Sequence, residues 1–62
     1  MIQIASSSIR AVDYDGNNLF VQFHNRATIY IHPVVSYWIY CALLQASSKG
    51  KFYNQQIRGR YR

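Results

Sequence analysis

Apolar residues crowd the first half of the chain in short runs, and turn residues cut those runs into segments able to form strands. Asp15-Gly16-Asn17-Asn18 is the strongest break, because Gly and Asn accept the positive φ angles that a hairpin loop needs. It joins Ser8–Tyr14 to Leu19–His24. A second turn at Asn25-Arg26 leads into Ala27–His32, which is rich in β-branched and aromatic residues. The pattern predicts a three-stranded antiparallel meander. An even loop at Asn25-Arg26 pairs Phe23 with Thr28 and Val21 with Tyr30, and the first loop pairs Tyr14 with Leu19. Val12, Tyr14, Leu19, Val21, Phe23, Tyr30 and His32 then share one face, which reads as the core face. Ile9, Ala11, Phe20, Ile29 and Ile31 fall on the other face, diluted only by Asp13, Gln22 and His24. An ordinary half-buried sheet is polar there.

From Pro33 onward the period lengthens. Ser36 suits the N-cap of a helix running to about Ala46. Ile39, Tyr40, Leu43 and Leu44 form its apolar stripe, flanked by Tyr37. Trp38, Cys41, Ala42 and Gln45 lie on the other side. Ser48 suits the start of a second helix through Arg58, with Phe52, Tyr53 and Ile57 as its apolar side, and Gly59 suits the left-handed residue that closes a helix. The expected fold is α+β: a three-stranded antiparallel meander followed by two short α-helices packed on one face. Residues 1–62 form one domain, with 1–6 as an N-terminal extension and 59–62 as a basic C-terminal tail.

Composition narrows the function. A chain of 62 residues buries only about 60% of the surface its unfolded state exposes, and it has ten aromatic side chains to place (six Tyr, three Phe and one Trp). Some of them must remain at the surface or be covered by a second chain. Asp13 and Asp15 are the only acidic side chains, so general acid–base chemistry has almost nothing to work with. Cys41 is the sole cysteine, and it reads as a small helix residue more readily than as a nucleophile paired with His24 or His32. Those three residues have no short-spaced ligand pair for a metal, and no glycine-rich phosphate loop appears. We expect no enzyme, no cofactor, no metal and no small-molecule substrate. The N-terminus lacks the pattern of a signal peptide, no apolar run is long enough to span a membrane, and a single cysteine suits a reducing compartment. A cytoplasmic location is expected.

The net charge is +5, and its placement is uneven. Lys49, Lys51, Arg58, Arg60 and Arg62 cluster at the C-terminal end. That asymmetry suits an anionic partner, and it also suits a solvated tail that confers solubility. In the first case the five cations contact phosphates of a nucleic acid, while Tyr53 or Tyr61 stacks on an unpaired base. The apolar surplus points elsewhere. Ile9, Phe20, Ile29 and Ile31 on the sheet, with Trp38 and Cys41 on the helix, exceed what a normal monomer exposes. They suit a protein interface, either a homo-oligomer (a dimer) or docking on a larger protein.

The run Tyr30-Ile31-His32, Val35, Ile39-Tyr40, Leu43-Leu44-Gln45-Ala46-Ser47-Ser48-Lys49-Gly50-Lys51-Phe52-Tyr53-Asn54, Ile57-Arg58 and Arg60-Tyr61 resembles the KTSC domain. Ser7-Ser8, Val12 and Tyr14 extend the likeness over roughly residues 7–61. That module occurs at the C-terminus of some lysyl-tRNA synthetases and alone in small bacterial and phage proteins. The resemblance implies an α+β fold and, through the link to synthetases, an RNA-binding role in a bacterial cell or a phage-infected host. The apolar sheet and helix face leaves the alternative of a small phage-type inhibitor docking on a host protein. His32 stands where the family has a second tyrosine, Ser36 where proline is common and Arg26 where glycine is typical. Phe20, Ile31, Trp38 and Cys41 occupy positions that are polar in the family, which implies an apolar interface particular to this member.

Overall fold

Asp15 organises the first hairpin. One of its carboxylate oxygens accepts the backbone N–H groups of Asn17 (2.9 Å) and Asn18 (2.7 Å), and the other accepts the Asn18 side-chain amide. These bonds, with those to Asn18 foremost, hold its carboxyl below the ordinary value. In the computed structural model, which describes residues 1–60, this loop joins β2 (Ile9–Tyr14) to β3 (Leu19–Phe23), and β3 pairs in turn with β4 (Ile29–His32). The pairings Tyr14↔Leu19 and Val21↔Tyr30 are those the loop lengths predict. Pairing between β3 and β4 runs from Leu19↔His32 to Gln22↔Ile29, so the expected Phe23–Thr28 pair lies beyond the end of β4.

The sheet has four strands and not the expected three. β1 (Ile2–Gln3) pairs antiparallel with β2 through Ile2↔Val12 and Gln3↔Ala11, so part of the supposed N-terminal extension is an edge strand. It covers backbone groups that β2 otherwise leaves open. The segment that follows is pinned by its own serine. Ser6 Oγ accepts the N–H groups of Ser8 (3.2 Å) and Ile9 (3.1 Å), and the Ser6 carbonyl accepts from Nε2 of His24 (2.8 Å).

A second correction concerns Ile9. The register shifts between Ile9↔Phe23 and Ala11↔Gln22, a β-bulge that places one extra residue on β2. The bulge turns Ile9 from the outer face to the core, where it is fully buried. Ile9 is therefore not an interface residue. Ala11 stays on the outer face, between Gln3 and Gln22.

Helix α1 (Tyr37–Gln45) and helix α2 (Lys49–Phe52) follow the sheet. Ser36 and Ser48 stand at the N-cap positions, although neither side chain makes a capping hydrogen bond. Tyr40 and Leu43 of α1 close the core over Ile9, Val12, Leu19 and Val21, with Val35, Tyr53 and Ile57. Both helical segments thus contribute to the core on one face of the sheet. The Tyr14 hydroxyl donates to the Val35 carbonyl (2.6 Å), and its ring stacks on Tyr40 at 4.9 Å between centroids. Next to that tether, Val34 has φ 58 and is exposed. A β-branched side chain in the left-handed region costs about 1–2 kcal/mol, and only its fixed neighbours hold it there.

The second helix does not continue as α to Arg58. From Tyr53 to Ile57 it widens into a π-helical turn, closed by Arg58 N–H to the Tyr53 carbonyl at 2.8 Å. Arg58 then becomes extended, Gly59 takes φ 89, and Arg60 N–H reaches the Ile57 carbonyl at 3.0 Å. That sequence of angles is a type II turn, which needs glycine at its third position. Gly59 has the positive φ expected of it, but as the third residue of this turn, after Arg58 has already left the helix. Tyr53 and Ile57 point into the core, while Asn54 and Arg58 face solvent. Among the described residues no helix is long and apolar enough to cross a membrane.

Candidate nucleic-acid interface

Opposite the hairpin loop, three elements meet around an open cleft of about 710 Å³. Ser7 and Ser8 form one wall. Phe23, His24, Asn25 and Arg26, with Tyr30 and His32 of β4, form another. The π-helical turn closes the third side with Tyr53, Asn54, Arg58 and Gly59. This size falls within the roughly 300–1,000 Å³ of ligand clefts. The β3–β4 turn, which contributes Asn25 and Arg26 to the cleft, is closed by Arg26 N–H to the Phe23 carbonyl (3.3 Å).

The floor is aromatic and rigid. Phe23 meets Tyr30 edge-on at 5.6 Å and Tyr53 at 5.2 Å between centroids. The Tyr53 hydroxyl and His32 Nε2 are hydrogen-bonded at 2.7 Å, with both side chains buried. Burial raises the Tyr53 pKa above its ordinary value, and the Arg58 cation pulls it partly back. The rim carries positive charge. Arg58 and Arg26 are both exposed, and an Arg26 guanidinium nitrogen donates to the Tyr30 hydroxyl at 3.4 Å.

A second groove of about 520 Å³ adjoins the first and shares Ser7, Ser8 and Asn54 with it. Its other lining residues include Ser6, Ser47, Ser48, Lys49, Gly50 and Lys51. Lys49 Nζ donates to the Ala46 carbonyl (3.0 Å), which fixes the ammonium beside the serines. The close approach of Ser8 requires Gly50: a Cβ there would lie 2.9 Å from Ser8 Oγ and 3.1 Å from Ser8 Cβ. Neither Asp13 nor Asp15 lines either groove, so neither groove carries an acidic side chain.

The structure divides the residues that sequence assigned to a nucleic-acid site. Lys49 and Lys51 line the smaller groove and Arg58 the larger. Arg60 is exposed beyond the type II turn and lines neither. Arg62, together with Tyr61, lies outside the described residues. Tyr53 is only 5% exposed. Its ring is engaged with Phe23 and His32, so it supports the cleft and is not the stacking ring expected of it. Tyr30, half-buried at the same cleft, is the better placed aromatic.

Sequence reasoning missed Arg26, Tyr30 and Asn54 as site residues. A signal existed, since Ser7, Ser8, Tyr30, Asn54 and Arg58 carried the family likeness. The β-bulge and the π turn, which bring them together, leave no mark in hydrophobic periodicity. Among the described residues no group of three or more His, Cys, Asp or Glu is placed to hold a metal ion.

The apolar residues assigned to a protein interface also divide. Ile29 and Ile31 are exposed on the outer sheet face, with Phe20 half-buried opposite Ile31. Trp38, 78% exposed, and half-buried Cys41 belong to α1, on the other side of the sheet. Val34 and Tyr37, both exposed, accompany Trp38 in the chain. In the comparison with protein families, the model of the KTSC domain matches residues 5–61. No curated protein matches the chain.

Proposed function

The chain belongs to the KTSC domain family, and from that premise we propose that it is a non-enzymatic module that binds single-stranded RNA. The observation that carries this reading is the composition of the two joined grooves. Aromatic rings, two guanidiniums and a serine–lysine trough line one continuous surface that holds no acidic side chain among the described residues. Bases have π faces that stack on such rings, and phosphates are held by the adjoining cations. A duplex hides its bases from a pocket of this kind, so the surface favours unpaired strands. General acid–base catalysis has no support here, because both carboxylates lie on β2 and its hairpin loop.

The test is titration of a labelled, unstructured oligoribonucleotide with the protein, followed by fluorescence anisotropy over a range of salt. With the four cations that line the grooves engaged (Arg26, Lys49, Lys51 and Arg58), log affinity falls against log salt with a slope of about −2.8. Arg58→Ala and Lys51→Ala each reduce that slope by about 0.7, with unchanged circular dichroism. Absence of binding at low salt, or a slope indifferent to both substitutions, refutes the reading. Single-stranded DNA and duplex RNA serve as competitors, and equal competition by the duplex refutes the preference for unpaired bases.

A second role is favoured by the exposure of Ile29, Ile31, Val34, Tyr37 and Trp38. We propose that part of this apolar surface is covered by self-association. Sedimentation at rising concentration is expected to show mass above the monomer, which Trp38→Lys or Ile31→Lys lowers. A monomeric mass throughout removes this role and leaves the RNA reading intact.

A further inference from the structure

The two grooves meet along Ser7, Ser8 and Asn54, and this junction says more than the presence of either groove alone. Resting on the RNA reading, we propose that they form a seat for one nucleotide: a single unpaired base in the aromatic cleft and its flanking phosphate in the serine–lysine groove. The junction residues then face the ribose.

Three physical points support the assignment. The larger cleft offers rings and planar cations but little else that is apolar, and its free hydrogen-bonding side chains include the Asn54 amide and the Arg58 guanidinium. That is the chemistry which reads a base edge while a ring covers its face. Tyr30 is held for such contact, since its hydroxyl accepts from Arg26 and its ring leans on Phe23. The smaller groove offers serine hydroxyls, two lysine ammonium groups and the Asn54 and Gln55 amides, with no aromatic ring to cover a base, which is the chemistry of a phosphate. The two are joined at a distance set by Ser8 against Gly50, where no β-carbon fits without displacing Ser8.

The seat predicts that the two halves of a nucleotide bind together better than either does alone. Backbone and side-chain NMR shifts of the intact protein are followed during titration with adenosine 5′-monophosphate, adenosine and inorganic phosphate. The monophosphate is expected to perturb Tyr30 and Lys51 signals with one common binding curve, and to bind about tenfold more tightly than adenosine or phosphate, as a charge-assisted contact warrants. Adenosine perturbs the Tyr30 side alone, and phosphate the Lys51 side alone.

Gly50→Ala is the discriminating variant. Alanine is a better helix former than glycine, so the fold is retained while Ser8 is pushed out of the junction. The monophosphate then loses its tenfold advantage, and Ser8→Ala, which leaves Gly50 in place and removes only the junction hydroxyl, weakens the monophosphate more than adenosine. If the monophosphate perturbs the two sides with unrelated curves, or Gly50→Ala leaves its affinity unchanged, there is no single seat. Should the oligoribonucleotide still bind in that case, only the seat falls. If neither ligand binds, the RNA reading falls with it.

Discussion

Leu43→Ala is expected to bring this domain close to its unfolding midpoint in water. Leu43 is fully buried where α1 meets the sheet, in the cluster that holds Val12, Leu19, Val21 and Ile57. Truncating a buried leucine costs about 2–5 kcal/mol, the upper end applying where the surroundings cannot collapse into the cavity. Neighbours on β-strands and a π turn have little freedom to do so. At about 0.05–0.15 kcal/mol per residue, a chain of 62 residues has a total stability of roughly 3–9 kcal/mol. Truncating this one core side chain therefore removes a large part of it. Urea unfolding followed by tryptophan fluorescence would show the midpoint falling steeply. Leu44→Ala, at a half-buried position, is expected to lose less than Leu43→Ala. If Leu43→Ala and Leu44→Ala shift the midpoint equally, the core is not organised around Leu43 as described.

What was legible in advance follows from what periodicity can encode. The Asp15–Asn18 loop, the register Val21↔Tyr30, the buried face of β3 and the stripe of α1 all follow from alternation, turn chemistry and helical spacing. Ile9 did not, because a β-bulge changes parity without changing the alternation on either side of it. β1 was missed because two residues are too few to show a period, and its pairing with β2 is a long-range choice. The π turn was missed because its i, i+4 positions, Tyr53 and Ile57, satisfy an α-helical pattern equally well. The same limit explains the site. The cations were visible as a cluster, but the cleft is defined by Tyr30, Arg26 and Asn54, three residues from three segments that only the fold brings together.

Tyr53 separates the supporting role from the binding role. Tyr53→Phe keeps the ring contacts with Phe23 (5.2 Å) and His32 (5.4 Å) and removes only the hydroxyl that meets His32 Nε2. Losing one partner of a buried hydrogen bond costs about 1–3 kcal/mol, so the variant is expected to unfold at clearly lower urea. Because the ring is buried, affinity of the folded variant for single-stranded RNA is expected to stay within about twofold, whereas Tyr30→Ala loses the worth of a stacked base, about 1–3 kcal/mol. The alkaline limb gives an independent check. Burial raises the Tyr53 pKa in the folded state above 10.0. Its contribution is thus fully present below that pH and is lost as pH rises through the raised value. Tyr53→Phe has no hydroxyl to ionise, so its stability is expected to decline less than that of the parent above pH 10.0. If Tyr53→Phe instead leaves stability untouched and weakens RNA binding as much as Tyr30→Ala, the hydroxyl belongs to the ligand surface, and the buried His32–Tyr53 pair is not the floor of the cleft.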